Sequence, residues 1–244
     1  MIRTLLARLK QGYRTMDFPA PGLQLPPRAL GAPSVRRAGL ERAAAACPYG
    51  AIDAGGASLD LGRCVACGAC AKAAPEAVSF SRDYRLCASS RGGLVVSGAE
   101  MKRAEALGGD LRRLFGRSLR LRQVSAGGCG ACEADCNVLG TLAWDMGRFG
   151  IQFVASPRHA DGILVTGPVS RNMELALRKT YDAVSSPKIV IACGACAISG
   201  GPYAGHEECA GIPADIPVDL YIPGCPPHPM TILDGLLRLL GRVD

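Results

Sequence analysis

The stretch KIVIACGACAISGG (residues 188–201) decides how the second half of the chain folds. Its opening, Lys188–Ala192, is a short β-branched, apolar run of the kind that fills a strand buried on both faces. It leads straight into Cys193 and Cys196. A strand ending on cysteines puts sulfur beyond the carboxyl edge of a sheet, where open parallel sheets hold their ligands. The pattern recurs around it. Ile151–Val154, Gly162–Thr166 and Val218–Ile222 are further β-rich runs, and the last leads to Cys225. Helical patterns over Met173–Val184 and Met230–Leu240 separate or follow them, and the alternating segment Ser118–Val124 precedes Cys129 and Cys132. Strands alternating with helices predict a parallel sheet covered on both faces, an α/β fold.

Upstream the texture changes. Ile2, Leu5, Leu6, Leu9 and Tyr13 recur at helical spacing, with Arg3, Arg8, Lys10 and Arg14 elsewhere on the wheel. Such a basic amphipathic helix either packs on its own domain or docks on a membrane surface or membrane subunit. Pro19, Pro21, Pro26, Pro27 and Pro33 make the following segment an extended arm. A small cysteine-bearing unit comes next, and Met101–Arg113 reads as a helix interrupted by Gly108 and Gly109 inside an interdomain linker. The expected division is 1–33 for helix and arm, 34–95 for the small unit, 96–117 for the basic linker and 118–244 for the parallel-sheet domain.

Composition bounds the function. The 244 residues are 48% hydrophobic and 20% charged, an ordinary globular balance that excludes a disordered or collagen-like chain. The net charge is +7, and all but five of the 28 basic residues are arginine. The densest basic stretch (Arg112, Arg113, Arg117, Arg120, Arg122) has no aromatic interleaving and no helix-turn-helix pattern, so a nucleic-acid partner is not expected. The N-terminus is broken by Arg3, Arg8 and Lys10, and the longest uncharged stretch, Ile189–Gly205, is too short and glycine-rich to span a bilayer. An intracellular setting is therefore expected, in which twelve cysteines point to metal rather than disulfides.

Cys64, Cys67 and Cys70 form C-x2-C-x2-C, and Cys47 precedes Pro48. In bacterial-type ferredoxins a cysteine triplet is completed by a remote Cys-Pro from the other half of the domain. Here there is one triplet and one Cys-Pro, enough for one 4Fe-4S cluster. The equivalent positions of a second cluster fall on Arg37, Leu40, Ala43 and Ala74, none of them a ligand. The rival use of the four cysteines is a zinc site, although zinc knuckles favour paired C-x2-C motifs over a triplet.

Cys129 and Cys132 form a C-x2-C among Gly127, Gly128 and Gly130, whose backbone can approach closely and aim N–H groups at sulfur. Further cysteines arrive on the loops after the two later strands, so four ligands from three loops at one sheet edge would build a buried cluster. Spacing alone leaves Cys193, Cys196 and Cys136 all open as partners for Cys129, Cys132 and Cys225.

Several short words in the same region carry a resemblance: FGRSL (115–119), CGACE (129–133), RFGI (148–151), SPRHAD (156–161), LVTGPV (164–169), GACA (194–197), SGG (199–201) and YIPGCPP (221–227). From about Leu114 onward the chain resembles the small, proximal-cluster subunit of group 4 membrane-bound nickel–iron hydrogenases, as in formate hydrogenlyase. It is also similar to the homologous subunit of respiratory complex I. The resemblance implies Cys129, Cys132, Cys196 and Cys225 as ligands of a second 4Fe-4S cluster. The complex I subunit carries adjacent cysteines at the first pair, so the C-x2-C form sides with the hydrogenases. The N-terminal part, including RDYRL (82–86), resembles the ferredoxin-like subunit of the same complexes, which normally holds two clusters. The implied architecture is a C-terminal flavodoxin-like domain preceded by a small α+β ferredoxin-like domain, as if two neighbouring subunits were fused.

The resemblance implies an electron-transfer subunit of a membrane-associated oxidoreductase, with two 4Fe-4S clusters and the active site in a partner. The expected partners are a hydrogenase-like large subunit, other soluble and membrane subunits, and a soluble electron donor or acceptor. Attachment would be peripheral, on the inner face of the cell membrane. A nickel-free or NADH-quinone type complex is the alternative. Cys87, Cys136, Cys193 and Cys209 are surplus to both clusters and expected in packing. Glu133 and Asp135 could relay protons or lie at an interface, His228 could hydrogen-bond a sulfide, and His159 and His206 form no pair with it. No Ser/His/Asp set or phosphate-binding loop appears.

Overall fold

The computed structural model describes residues 2–243, so Met1 and Asp244, the outer bounds of the first and last expected segments, lie outside it. The second half contains β6 (Leu119–Ser125), α5 (Ala131–Val138), β7 (Ile151–Phe153), β8 (Gly162–Thr166), α6 (Arg171–Ala183), β9 (Ile189–Cys193), α7 (Ala195–Ser199), β10 (Leu220–Ile222) and α8 (Pro229–Leu239). The five strands form one parallel sheet in the order β10-β9-β8-β6-β7. Counted from β6, this is the flavodoxin-like order 2-1-3-4-5. The α/β expectation holds.

Residue chemistry explains the layers. On β8 the side chains alternate: Ile163 and Val165 face α6 with Leu177, Val184 and Val190, while Leu164 faces the other layer with Leu121, Ile191, Leu233 and Leu236. β8 and β9 are buried at every position, which is why they read as unbroken apolar runs. β7, at the edge, pairs with β6 only from Ile151 to Phe153.

α8 is buried throughout, including Asp234 and Arg238, whose side chains pair at 2.9 Å and are only 3% and 6% exposed. One face meets the sheet and the other meets the N-terminal half. Phe18 and Leu25 of the proline-rich arm, with Tyr84 and Cys87, share its core. A Cβ at Gly235 would come within 2.5 Å of Cys87 Sγ, so glycine is what permits this approach. Removing Arg238 alone would leave Asp234 as an unpaired buried carboxylate. We expect Arg238→Leu to cost about 3–5 kcal/mol in anaerobic denaturant unfolding, and Asp234→Leu with Arg238→Leu to recover most of it. A single variant within about 1 kcal/mol of the parent would refute this role for the pair.

The first half contains α1 (Ile2–Gln11), β1 (Pro33–Val35), α2 (Leu40–Ala45), β2 (Ile52–Asp53), β3 (Ser58–Asp60), α3 (Ala69–Ala73), β4 (Val78–Phe80) and β5 (Val95–Ser97). β1 pairs antiparallel with β4, and β2-β3-β5 form a second antiparallel sheet. A separate core of Val35, Leu40, Ala43, Leu59, Ala74, Val78, Leu94 and Val96 lies between these sheets and the short helices. β5 straddles the expected boundary after residue 95, because Val96 belongs to that core.

One expected element is corrected. Met101–Leu107 is not helical; helix α4 (Gly109–Phe115) begins where the break was expected. The backbone of the irregular segment serves its neighbours instead. The Ala104 N–H donates to Cys87 O and the Leu107 N–H to Leu239 O, tying both halves together. α1 is also informative, since none of its residues is buried.

Candidate metal centres

The carboxyl ends of four strands form a single register row: Ser125 lies opposite Thr166, Thr166 opposite Cys193, and Cys193 opposite Ile222. Each loop leaving that row starts within reach of the others. Cys129 lies four residues past Ser125, Cys196 three past Cys193, and Cys225 three past Ile222. Cys132 follows in the first turns of α5. The strand order reverses between β6 and β8, the crevice where such sheets bind ligands. Their loops close tightly there, since a Cβ on Gly128 would meet Gly167 Cα at 2.9 Å.

The thiols of this set sense one another. Burial, followed by the charges of Cys225, Cys129 and Cys209, pushes Cys196 up to about 11. Cys225 is raised by burial and then by Cys129. Cys132 is raised by burial, Glu133 and Cys196, with smaller contributions from Cys136 and Cys225. Gly194, at φ 92° and ψ 155°, lies against Cys132, where a Cβ would come within 2.6 Å of the sulfur. That backbone region is essentially glycine-only.

The spacing leaves Cys193 and Cys136 open, and the structure places them elsewhere. Both are fully buried in the core between the sheet and α8, and hydrogen bonding from Cys136 raises Cys193. Cys209 is expected in packing, yet its loop bridges to Ser170 and its charge reaches Cys196. Nothing in its local sequence signals this; the long connection between α7 and β10 brings it round. Glu133 accepts hydrogen bonds from Ser125 Oγ at 2.5 Å and Thr166 Oγ1 at 2.7 Å. Burial pushes its carboxyl up, but these two bonds outweigh it and leave it below the ordinary range.

The first set surrounds a small cavity. Cys47, Cys64, Cys67 and Cys70 all line it, together with the apolar Ile52 and Phe80. Left-handed turns at Ala66 (φ 55°) and Gly68 (φ 73°) wrap the triplet around the space. The Ala51 N–H donates to Cys47 Sγ at 3.3 Å and the Ala66 N–H to Cys64 Sγ at 3.4 Å. Cys64 is pushed up to about 12 by burial and by the charges of Cys70, Cys47 and Cys67. On the other side of this unit, Leu40, Ala43 and Ala74 are fully packed in the core and Arg37 is exposed, so apolar side chains fill the space of a second ferredoxin-type cluster.

The donor chemistry of each set, four cysteine sulfurs, fits an iron–sulfur cluster. One cavity of about 260 Å3 has a cysteine of each set, Cys64 and Cys225, in its lining, together with Arg28, Asp135 and His228. His228 Nδ1 accepts from the Met230 N–H at 3.2 Å, capping α8, so only its Nε2 remains free for a sulfide. His159 and His206 lie at neither set; His206 Nδ1 accepts from the Glu208 N–H.

Comparison with known proteins covers the half of the chain that carries the second set. The family model described as NADH ubiquinone oxidoreductase, 20 Kd subunit, matches residues 129–239, from the first cysteine of that set to the end of α8. The probable membrane-bound hydrogenase subunit mbhJ of Pyrococcus furiosus is 38% identical over 151 residues, covering 61% of this chain and 90% of the relative. The B subunit of the NADH-quinone oxidoreductase of Desulfovibrio desulfuricans is 42% identical over 112 residues, 46% of this chain and 61% of that protein. Among solved structures, a chain of the membrane-bound sulfane sulfur reductase, an archaeal respiratory membrane complex, is 34% identical with a TM-score of 0.47, covering 54% of this chain and 73% of its own.

Proposed function

Because this chain belongs to the family of the NADH ubiquinone oxidoreductase 20 Kd subunit, we propose that it is the electron-carrying subunit of a membrane-associated oxidoreductase complex and holds two 4Fe-4S clusters. Cys47, Cys64, Cys67 and Cys70 would hold the first, and Cys129, Cys132, Cys196 and Cys225 the second. The observation that supports this reading is a single cavity lined by one cysteine of each set, Cys64 and Cys225. When bound, the clusters supply one-electron storage at potentials tuned by hydrogen bonds and exposure.

The rest is done by this chain. The Ala51 and Ala66 N–H groups aim at sulfur and favour the more negative, reduced state of the first site. Ile52 and Phe80 keep its cavity apolar. Cys67, Cys129 and Cys225 are exposed, which gives a donor access to the first set and a partner access to the second. Electrons would enter at the first set, cross to the second and leave for an active site in a partner; the flow is reversible. Four segments support this work: helix and arm, ferredoxin-like unit, basic linker and flavodoxin-like domain, the first two units resembling a fused neighbouring subunit.

We take the partner to be the large subunit of a nickel–iron hydrogenase of the group 4, formate hydrogenlyase-like kind. The C-x2-C of Cys129 and Cys132 and the 38% identity to a membrane-bound hydrogenase subunit favour it. The nickel-free NADH-quinone type is the second reading, favoured by the 42% identity to the NADH-quinone oxidoreductase relative. Among the described residues no helix is long and apolar enough to cross a membrane. Peripheral attachment to the inner face of the cell membrane through partner subunits is part of this reading. The complex captured anaerobically through this chain should contain at least about eight iron atoms per chain, with nickel in step with the chain. Iron without nickel selects the quinone-type reading, and zinc in place of iron overturns both.

A further inference from the structure

α1 turns its apolar side away from the protein. At 100° per residue, Ile2, Leu5, Leu6 and Leu9 fall within an arc of about 100°. They are 74%, 61%, 58% and 83% exposed. Arg3 and Lys10 flank that stripe on one side and Arg8 on the other. Thr4, Ala7 and Gln11, on the opposite side, line a groove against Leu142 of the second half. The helix ends at Gly12 (φ 64°), whose N–H donates to Arg8 O. Just beyond it Tyr13 is 83% exposed, with the Arg8 guanidinium 3.3 Å over its ring. No acidic residue precedes Asp17. Among the described residues, none of the α1 cations has an ion-pair partner.

We propose that α1 lies on an anionic lipid bilayer, with Ile2, Leu5, Leu6 and Leu9 in the acyl boundary and Arg3, Arg8 and Lys10 on lipid phosphates. Burying four exposed leucine-class side chains supplies the attraction, and cations on both flanks can extend to the headgroups while their stems stay in the apolar layer. Unpaired cations flanking the stripe are complementary to a continuous anionic plane on both sides of the helix. This contact is direct, in addition to attachment through partner subunits, and it stands independently of the electron-transfer reading.

The test is flotation of the full chain, loaded with its metal, on vesicles of phosphatidylcholine alone or with about one-third phosphatidylglycerol. The parent should float with the anionic vesicles, weaken in high salt and stay behind with neutral ones. Arg3→Ala, Arg8→Ala and Lys10→Ala should each weaken binding about fivefold. Leu6→Asp and Leu9→Asp should each weaken it by about tenfold or more. Because α1 buries none of its residues, all five should keep the parent's iron content and melting curve. A parent that floats with neither vesicle overturns the proposal, as does flotation insensitive to these substitutions. If vesicles never bind and the leucine variants instead release the chain from its captured complex, the stripe belongs to a protein partner and the lipid proposal is wrong.

Discussion

Substituting Cys64 with alanine is expected to remove about half of the bound iron, four of roughly eight atoms per chain, and to leave the other cluster's spectrum in place. The independence follows from which sulfurs sense which. Cys64 is shifted by Cys70, Cys47 and Cys67, whereas Cys132 and Cys196 are shifted within the set at the sheet edge and its neighbours. The supporting cores also differ, and they meet only at their margin, where Ile198 and Tyr221 pack on the triplet's core and Ser199 Oγ donates to Gly62 O. The triplet leans on the core of Leu40, Leu59 and Val78, and the second set hangs from strand ends anchored by Leu164 and Ile191. Iron analysis together with low-temperature paramagnetic resonance of the reduced chain decides the matter. Losing both signals at once would mean that the two sets form one folding unit. Retaining both would remove Cys64 from the ligands. Electron delivery from an external donor should fall to background in the captured complex, while the second cluster still reduces chemically.

Legibility in the sequence tracks how local the physics is. β8 is legible residue for residue because a strand buried on both faces is filled by apolar side chains, its one polar residue, Thr166 at the end, being satisfied by Glu133. The triplet is legible because three ligands on one short loop must be close in sequence. Met101–Leu107 misleads because its helical apolar spacing is real, yet long-range bonds to Cys87 and Leu239 take its backbone. Those partners lie far away in the chain, so no window contains them. Cys209 escapes a sequence reading for the same reason. The choice between Cys193 and Cys196 needs the turn at Gly194, which sends one thiol into the core beside Cys136 and the other to the strand edge. Two sulfurs three residues apart therefore have different surroundings. The outward stripe of α1 is legible as a pattern, but its direction is not, because spacing says which residues share a side and never what that side meets.

That turn makes the last expected result sharp. Gly194→Ala should lose the second cluster and keep the first, the mirror image of Cys64→Ala. Two costs coincide at the position. Its backbone angles belong to a region that side chains rarely enter, a strain of about 1–3 kcal/mol. The new Cβ would also come within 2.6 Å of Cys132 Sγ, so the sulfur must move. Mutating a group that positions a metal ligand commonly weakens the site by about 10–100-fold, and turnover of the captured complex should fall at least as far. Gly205→Ala separates the two costs. Gly205 also has a positive φ, 81°, but its Cβ would meet nothing within 4 Å, so it carries strain without touching a sulfur. If Gly194→Ala loses about four iron atoms per chain and Gly205→Ala loses none, the position of the Cys132 sulfur is what the glycine protects. If both variants keep full iron, Cys132 lies elsewhere in the loaded protein and the proposed ligand set fails. If both lose it equally, backbone strain alone accounts for the effect and the close approach has no special role.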